Sequence, residues 1–126
     1  MINRVKTKNA PKAIGAYSQG SIFENLVFTS GQIAINPISG NLVTDDFSKE
    51  VGQVLENIKS VLEAGGSNLD NIIKLTVFIR DMSNFKFVNE VFETFFIDEY
   101  PARSVVEVSG LPLNVNIEIE AIGIKI

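Results

Sequence analysis

Residues Asp45 to Ile79 read DDFSKEVGQVLENIKSVLEAGGSNLDNIIKLTVFI, and the fold class turns on them. Phe47, Val51, Val54, Leu55, Ile58, Val61 and Leu62 recur at helical spacing, which lays one apolar stripe along a helix. Asp45-Asp46 supplies the N-terminal cap and Gly65-Gly66 the stop. Beyond the glycines the helical period disappears, and Ile72 to Ile79, rich in β-branched side chains, predicts a buried strand.

Working outward, Ser83-Asn84 predicts the cap of a second helix whose stripe is Val88, Val91, Phe92, Phe95 and Phe96, with Pro101 ending the region. Ala102 to Val108 and Val115 to Ile126 read as two final strands around the Gly110-Leu111-Pro112 turn. Upstream, Tyr17 to Phe23 and Leu26 to Ser30 flank Glu24-Asn25 as a hairpin, preceded by a short strand near Val5. The expected order is β-β-β-α-β-α-β-β. That is an α+β layer of two helices on a mixed sheet, within one domain spanning residues 1–126.

Composition narrows the chemistry. Fifteen Asp and Glu against eleven Lys and Arg leave a net charge of -4, so there is no overall positive field for a polyanion, and nucleic acid is not an expected partner. Arg4, Lys6, Lys8 and Lys12 read as a solvated arm. The absence of cysteine removes disulfides, thiolate nucleophiles and thiolate metal sites and suits a cytoplasmic location. No apolar run reaches the roughly 20 residues that span a bilayer, so no membrane association is expected. With no histidine either, chemistry falls to Glu, Asp, Arg, Lys, Tyr, Ser or the backbone. Neither a metal nor a cofactor is expected.

In the last strand Ile117, Ile119 and Ala121 share one face while Ile122, Ile124 and Ile126 share the other. Two helices cover only one face. The second calls for another subunit or closure into a barrel, unless a β-bulge near Ala121 rephases the strand.

The two final strands are taken as antiparallel neighbours, and parity then places their side chains. Ser104, Val106 and Val108, the less polar set, join the face of Ile117 and Ile119. Arg103 and Glu107 then share the face of Glu118 and Glu120, where a guanidinium among carboxylates forms either an internal ion pair or an anion site. Tyr17, Ser30 and Asn89 are side chains that suit a site or ordinary packing and capping.

Several blocks together resemble the RidA/YjgF family from end to end. They are Ala10 to Gly20 (APKAIGAYSQG), Ser30 to Ala34 (SGQIA) with Asn36-Pro37, Asn57-Ile-Lys to Gly65, Thr76 to Asp81 (TVFIRD), Pro101 to Ser104 (PARS) and Ile117 to Ala121 (IEIEA). The resemblance implies a chorismate-mutase-like fold and a homotrimer with a central barrel and sites between subunits. It also implies hydrolysis of 2-imino acids and their enamines to 2-keto acids and ammonia, without cofactor or metal. By position in those blocks, Arg103 holds the substrate carboxylate and Glu118 sits by the attacking water and imine nitrogen. Tyr17, Ser30, Gly31 and Asn89 line the pocket. Parity does not separate Glu118 from Glu120; the choice rests on the resemblance. Two other readings stand beside the deaminase: a non-catalytic trimeric module sensing keto or amino acids, and a ribonuclease or translation inhibitor, which the acidic balance disfavours.

Overall fold

The apolar stripe forms α1, Phe47–Ala64, in the computed structural model, which describes residues 1–126. Asp46 caps it by accepting from the Lys49 N–H at 3.0 Å, and the chain leaves through Gly66 at φ 92°, a left-handed conformation that favours glycine. Val51, Val54, Leu55, Ile58, Val61 and Leu62 are completely buried. Truncating one of them, for example Ile58→Ala, is expected to cost about 2–5 kcal/mol by leaving a cavity.

Around α1 the strands are β1 (Ile2–Val5), β2 (Gly20–Phe23), β3 (Leu26–Thr29), β4 (Ile72–Ile79), β5 (Ala102–Glu107) and β6 (Ile117–Ile124), with α2 (Phe85–Phe95) between β4 and β5. The expected order of elements is present. The hairpin is shorter than expected, because Tyr17 to Gln19 stay outside β2. At α2, Asn84 makes no side-chain cap; Asp81 instead accepts from Ser83 and closes the short turn ahead of the helix. No helix is long and apolar enough to cross a membrane.

The sheet runs β1-β2-β3-β6-β4-β5. This corrects the assumption that the last two strands are neighbours. β5 lies at the sheet edge, parallel to β4, while β6 lies between β3 and β4, antiparallel to both. The strand–helix–strand run β4-α2-β5 is a crossover, the connection that parallel neighbours require.

Both helices contribute to a single core with Leu75, Val77, Ile79, Ile117, Ile119 and Ala121, which register pairs on one face. The opposite face carries Phe78 against Glu118 and Phe28 against Ile122, and on it Phe28, Val106 and Ile124 are 38%, 45% and 37% exposed. A bulge exists, but in β4 between Ile72 and Lys74, opposite Ile122 and Gly123, so β6 itself keeps its alternation and presents isoleucine on both sides.

Candidate functional site

Register also reverses the expected placement of Arg103. In the parallel ladder Leu75 faces Arg103, Val77 faces Val105 and Ile79 faces Glu107, so these β5 residues share the helix-covered face. Glu118 pairs with Phe78 and points to the other side. The sheet therefore separates Arg103 from Glu118 and Glu120 within one chain, which removes the internal ion pair. Glu107 is not in the constellation either: its carboxylate accepts from the Met82 N–H at 2.8 Å.

Two pockets divide the expected residues between them. The first, 330 Å³, brings together Tyr17, Ser30, Gly31 and Glu118, with Lys12, Ile14 and Pro112 on its walls. The second, 450 Å³, holds Arg103 and Asn89 with Phe92, Glu93, Tyr100 and Pro101.

In the first pocket Glu118 sits two positions into β6 and abuts the backbone of Gly31. A Cβ on that glycine would stand 2.8 Å from the carboxyl carbon, so a side chain there would push Glu118 from this position. Burial, reinforced by the nearby charge of Glu120, raises the Glu118 pKa above the ordinary carboxylate value. Such a carboxyl holds and releases a proton closer to neutrality. The Tyr17 hydroxyl accepts from the Ile14 N–H at 3.2 Å and keeps its own proton to donate. The Ser30 hydroxyl donates to the Ser18 carbonyl, which leaves its lone pairs for a ligand.

Buried polar side chains that sequence reasoning missed pin the segments of this pocket. Gln19 ties down the N-terminal arm through Thr7, Ala10 and Pro11. From α1, Asn57 donates to the carbonyls of Ile33 and Ile35 at 3.0 and 2.9 Å. The Glu50 carboxylate, fully buried, accepts from both the main-chain and side-chain N–H groups of Asn116 at 2.8 Å, just before β6. Gln19 and Asn57 stand in blocks quoted for the family resemblance, but the only physical signal for the three was a polar residue inside or beside an apolar run.

In the second pocket the Arg103 guanidinium lies over two aromatic rings of α2, 5.3 Å from the Phe85 centroid and 5.1 Å from that of Phe92. Burial lowers its pKa from the usual guanidinium value, yet an arginine stays a cation at any working pH. No group of acidic, histidine or cysteine side chains has the arrangement to hold a metal ion.

A family model described as Endoribonuclease L-PSP matches residues 7–125. In the Escherichia coli YjgF gene product the same fold recurs with a TM-score of 0.94 and 43% identity, over 98% of this chain and 99% of that one. This chain belongs to the RidA/YjgF family. Within that family, the 2-iminobutanoate/2-iminopropanoate deaminase of Salmonella typhimurium is 45% identical over 128 residues, 99% of each chain. The structure of Escherichia coli TdcF with bound serine matches at 42% identity and a TM-score of 0.94, covering 98% of this chain and 99% of that chain.

Proposed function

We infer that this RidA/YjgF chain is a 2-iminobutanoate/2-iminopropanoate deaminase, an enzyme that hydrolyses 2-imino acids to 2-keto acids and ammonia. Support comes from relatives of that name along the whole chain and from one observation in the structure. A half-buried carboxyl with a raised pKa faces an open pocket beside a tyrosine hydroxyl that has a proton to give. In the reaction, water adds to C2 of the C=N bond as one of its protons passes to nitrogen, and the resulting carbinolamine expels ammonia as its hydroxyl gives up the second proton to the leaving nitrogen and becomes the keto oxygen. Glu118 carries each proton in turn from oxygen to nitrogen, and Tyr17 orients the water. Arg103 grips the carboxylate through paired N–H donors.

Because a small substrate cannot touch both faces of one sheet, we propose that Arg103 and Asn89 of one subunit meet Glu118, Tyr17, Ser30 and Gly31 of the next. A homotrimer, its open apolar faces turned together into a barrel, supplies three such junctions. We assign the enzyme to the cytoplasm.

The activity test generates 2-aminoacrylate or 2-aminocrotonate in situ with a dehydratase and follows keto-acid release. Acceleration by this protein is expected, and its absence defeats the reading. The shared site is tested by mixing Glu118→Gln and Arg103→Ala chains after reversible dissociation. About a quarter of the junctions in a random equal mixture pair an intact Arg103 with an intact Glu118, so activity reappears from two inactive preparations. No recovery in demonstrably mixed trimers overturns the shared site.

A further inference from the structure

Arg103 poses a physical question: what holds a partly buried cation in place if its N–H donors are to receive a ligand? An ion pair is the common answer, but it occupies the guanidinium fork and cancels the charge. Glu93, the only carboxylate lining the Arg103 pocket, makes no hydrogen bond to it. Two aromatic rings do the holding. Phe85 and Phe92 are seven residues apart, two helical turns along α2, which sets both rings on the same side of the helix. Their centroids lie 5.3 and 5.1 Å from the guanidinium carbon, inside the roughly 6 Å range in which a ring quadrupole attracts a cation.

We propose that Phe85 and Phe92 are positioning residues that hold Arg103 by its charge, leaving its N–H donors unspent for the substrate carboxylate. The inference rests on the reading of Arg103 as the carboxylate-holding group and adds how that group is kept available. A π face attracts the cation without accepting from its N–H edge and without neutralising it, so the guanidinium keeps its full positive charge. The rings also replace water along the guanidinium faces, which strengthens any charge-assisted hydrogen bond formed at its edge.

The test compares Phe85→Leu and Phe92→Leu with Phe85→Tyr and Phe92→Tyr, and replaces Phe85 with mono-, di- and trifluorinated phenylalanine. The readouts are the KM for 2-iminopropanoate generated in situ, kcat, and the Kd for 2-oxobutanoate. Each Leu variant is expected to raise KM and Kd by about 3- to 10-fold with kcat within about twofold, while the Tyr variants retain most of the affinity. Affinity falls stepwise with ring fluorination, which withdraws the quadrupole while nearly preserving shape. Phe92 is only 3% exposed; should its Leu variant fail to fold, the partly exposed Phe85 and its fluorinated series decide the matter. Unchanged affinity in Phe85→Leu, or equal losses in Leu, Tyr and fluorinated variants, overturns the proposal. Arg103→Ala is the control. If it binds 2-oxobutanoate normally, the underlying reading of Arg103 fails; if it loses binding while the Phe85 variants do not, the aromatic clamp alone fails.

Discussion

The two pockets are built on different principles. The Glu118 pocket is framed by loops, and its segments are tied to the core by the buried polar groups of Gln19, Asn57 and Glu50. The Arg103 pocket rests on a helix and an edge strand, and its charged group lies against rings. A group that handles protons has to be poised between two states, so it needs fixed surroundings that set its pKa. A group that only grips an anion needs donors left free. Buried polar pins serve the first requirement and aromatic faces the second.

The contrast breaks most visibly at Glu118. Glu118→Gln is expected to lower kcat by roughly 10²- to 10⁴-fold with little change in KM, because an amide can position water but cannot exchange a proton at neutral pH. Steady-state kinetics with imine generated in situ measures it, and an unchanged kcat transfers the proton step to Glu120 or to the substrate's own carboxylate.

Arg103→Lys strikes the gripping side. A point charge does not reproduce the planar fork, so catalytic efficiency is expected to fall about 10- to 1000-fold, the equivalent of roughly 1.5 to 4 kcal/mol, with the Tm near that of the native protein. Calorimetry beside kinetics separates the two effects; a large loss of Tm with full activity per folded trimer returns Arg103 to a structural role.

Gly31→Ala sharpens the comparison by moving Glu118, the proposed proton handler, without altering it chemically. Its new Cβ meets the Glu118 carboxyl, and a displaced catalytic group is expected to cost about 10-fold in kcat. Full activity in a crystallographically confirmed variant shows that Glu118 works equally well elsewhere.

The smallest effect is on stability. Since the folded chain raises the Glu118 pKa, it binds that proton more tightly than the unfolded chain does. The resulting stabilisation is fully present below the unfolded-state pKa and is lost as pH rises through the raised folded-state value. The Tm of Glu118→Gln relative to the native protein should therefore increase across that window and then level off. A difference independent of pH contradicts the raised pKa.

How far the sequence could be read depended on the range of the interaction. Both helices were legible because Val51 to Leu62 and Val88 to Phe96 repeat a period that only local geometry imposes. Glu118, Tyr17 and Arg103 are proposed for the site through family resemblance. The sheet faces of Arg103 and Glu118 were not legible. Parity arguments hold only between known neighbours, and β5 and β6, adjacent in sequence, are separated by β4. A strand, a helix and a strand joined closely, β4-α2-β5, is the pattern of a parallel crossover, and giving it priority would have put Arg103 beside Leu75. The mixed polarity of Arg103, Val105 and Glu107 hid this, because an edge strand tolerates charges on its covered face. The pins were invisible for another reason: Glu50 meets Asn116 across 66 positions, which no local pattern reports.

The place of β6 has a consequence for synthesis. β6 is made after both strands it lies between, β3 and β4, and hydrogen-bonds to both, so a nascent chain still lacking β6 has a gap through the middle of its sheet. Neither half can close against the other until β6 clears the ribosome and inserts, which makes the folding step non-local and late. The strand that seals the sheet also bears Glu118, so the carboxyl proposed to handle the proton is installed by the same event that completes the fold.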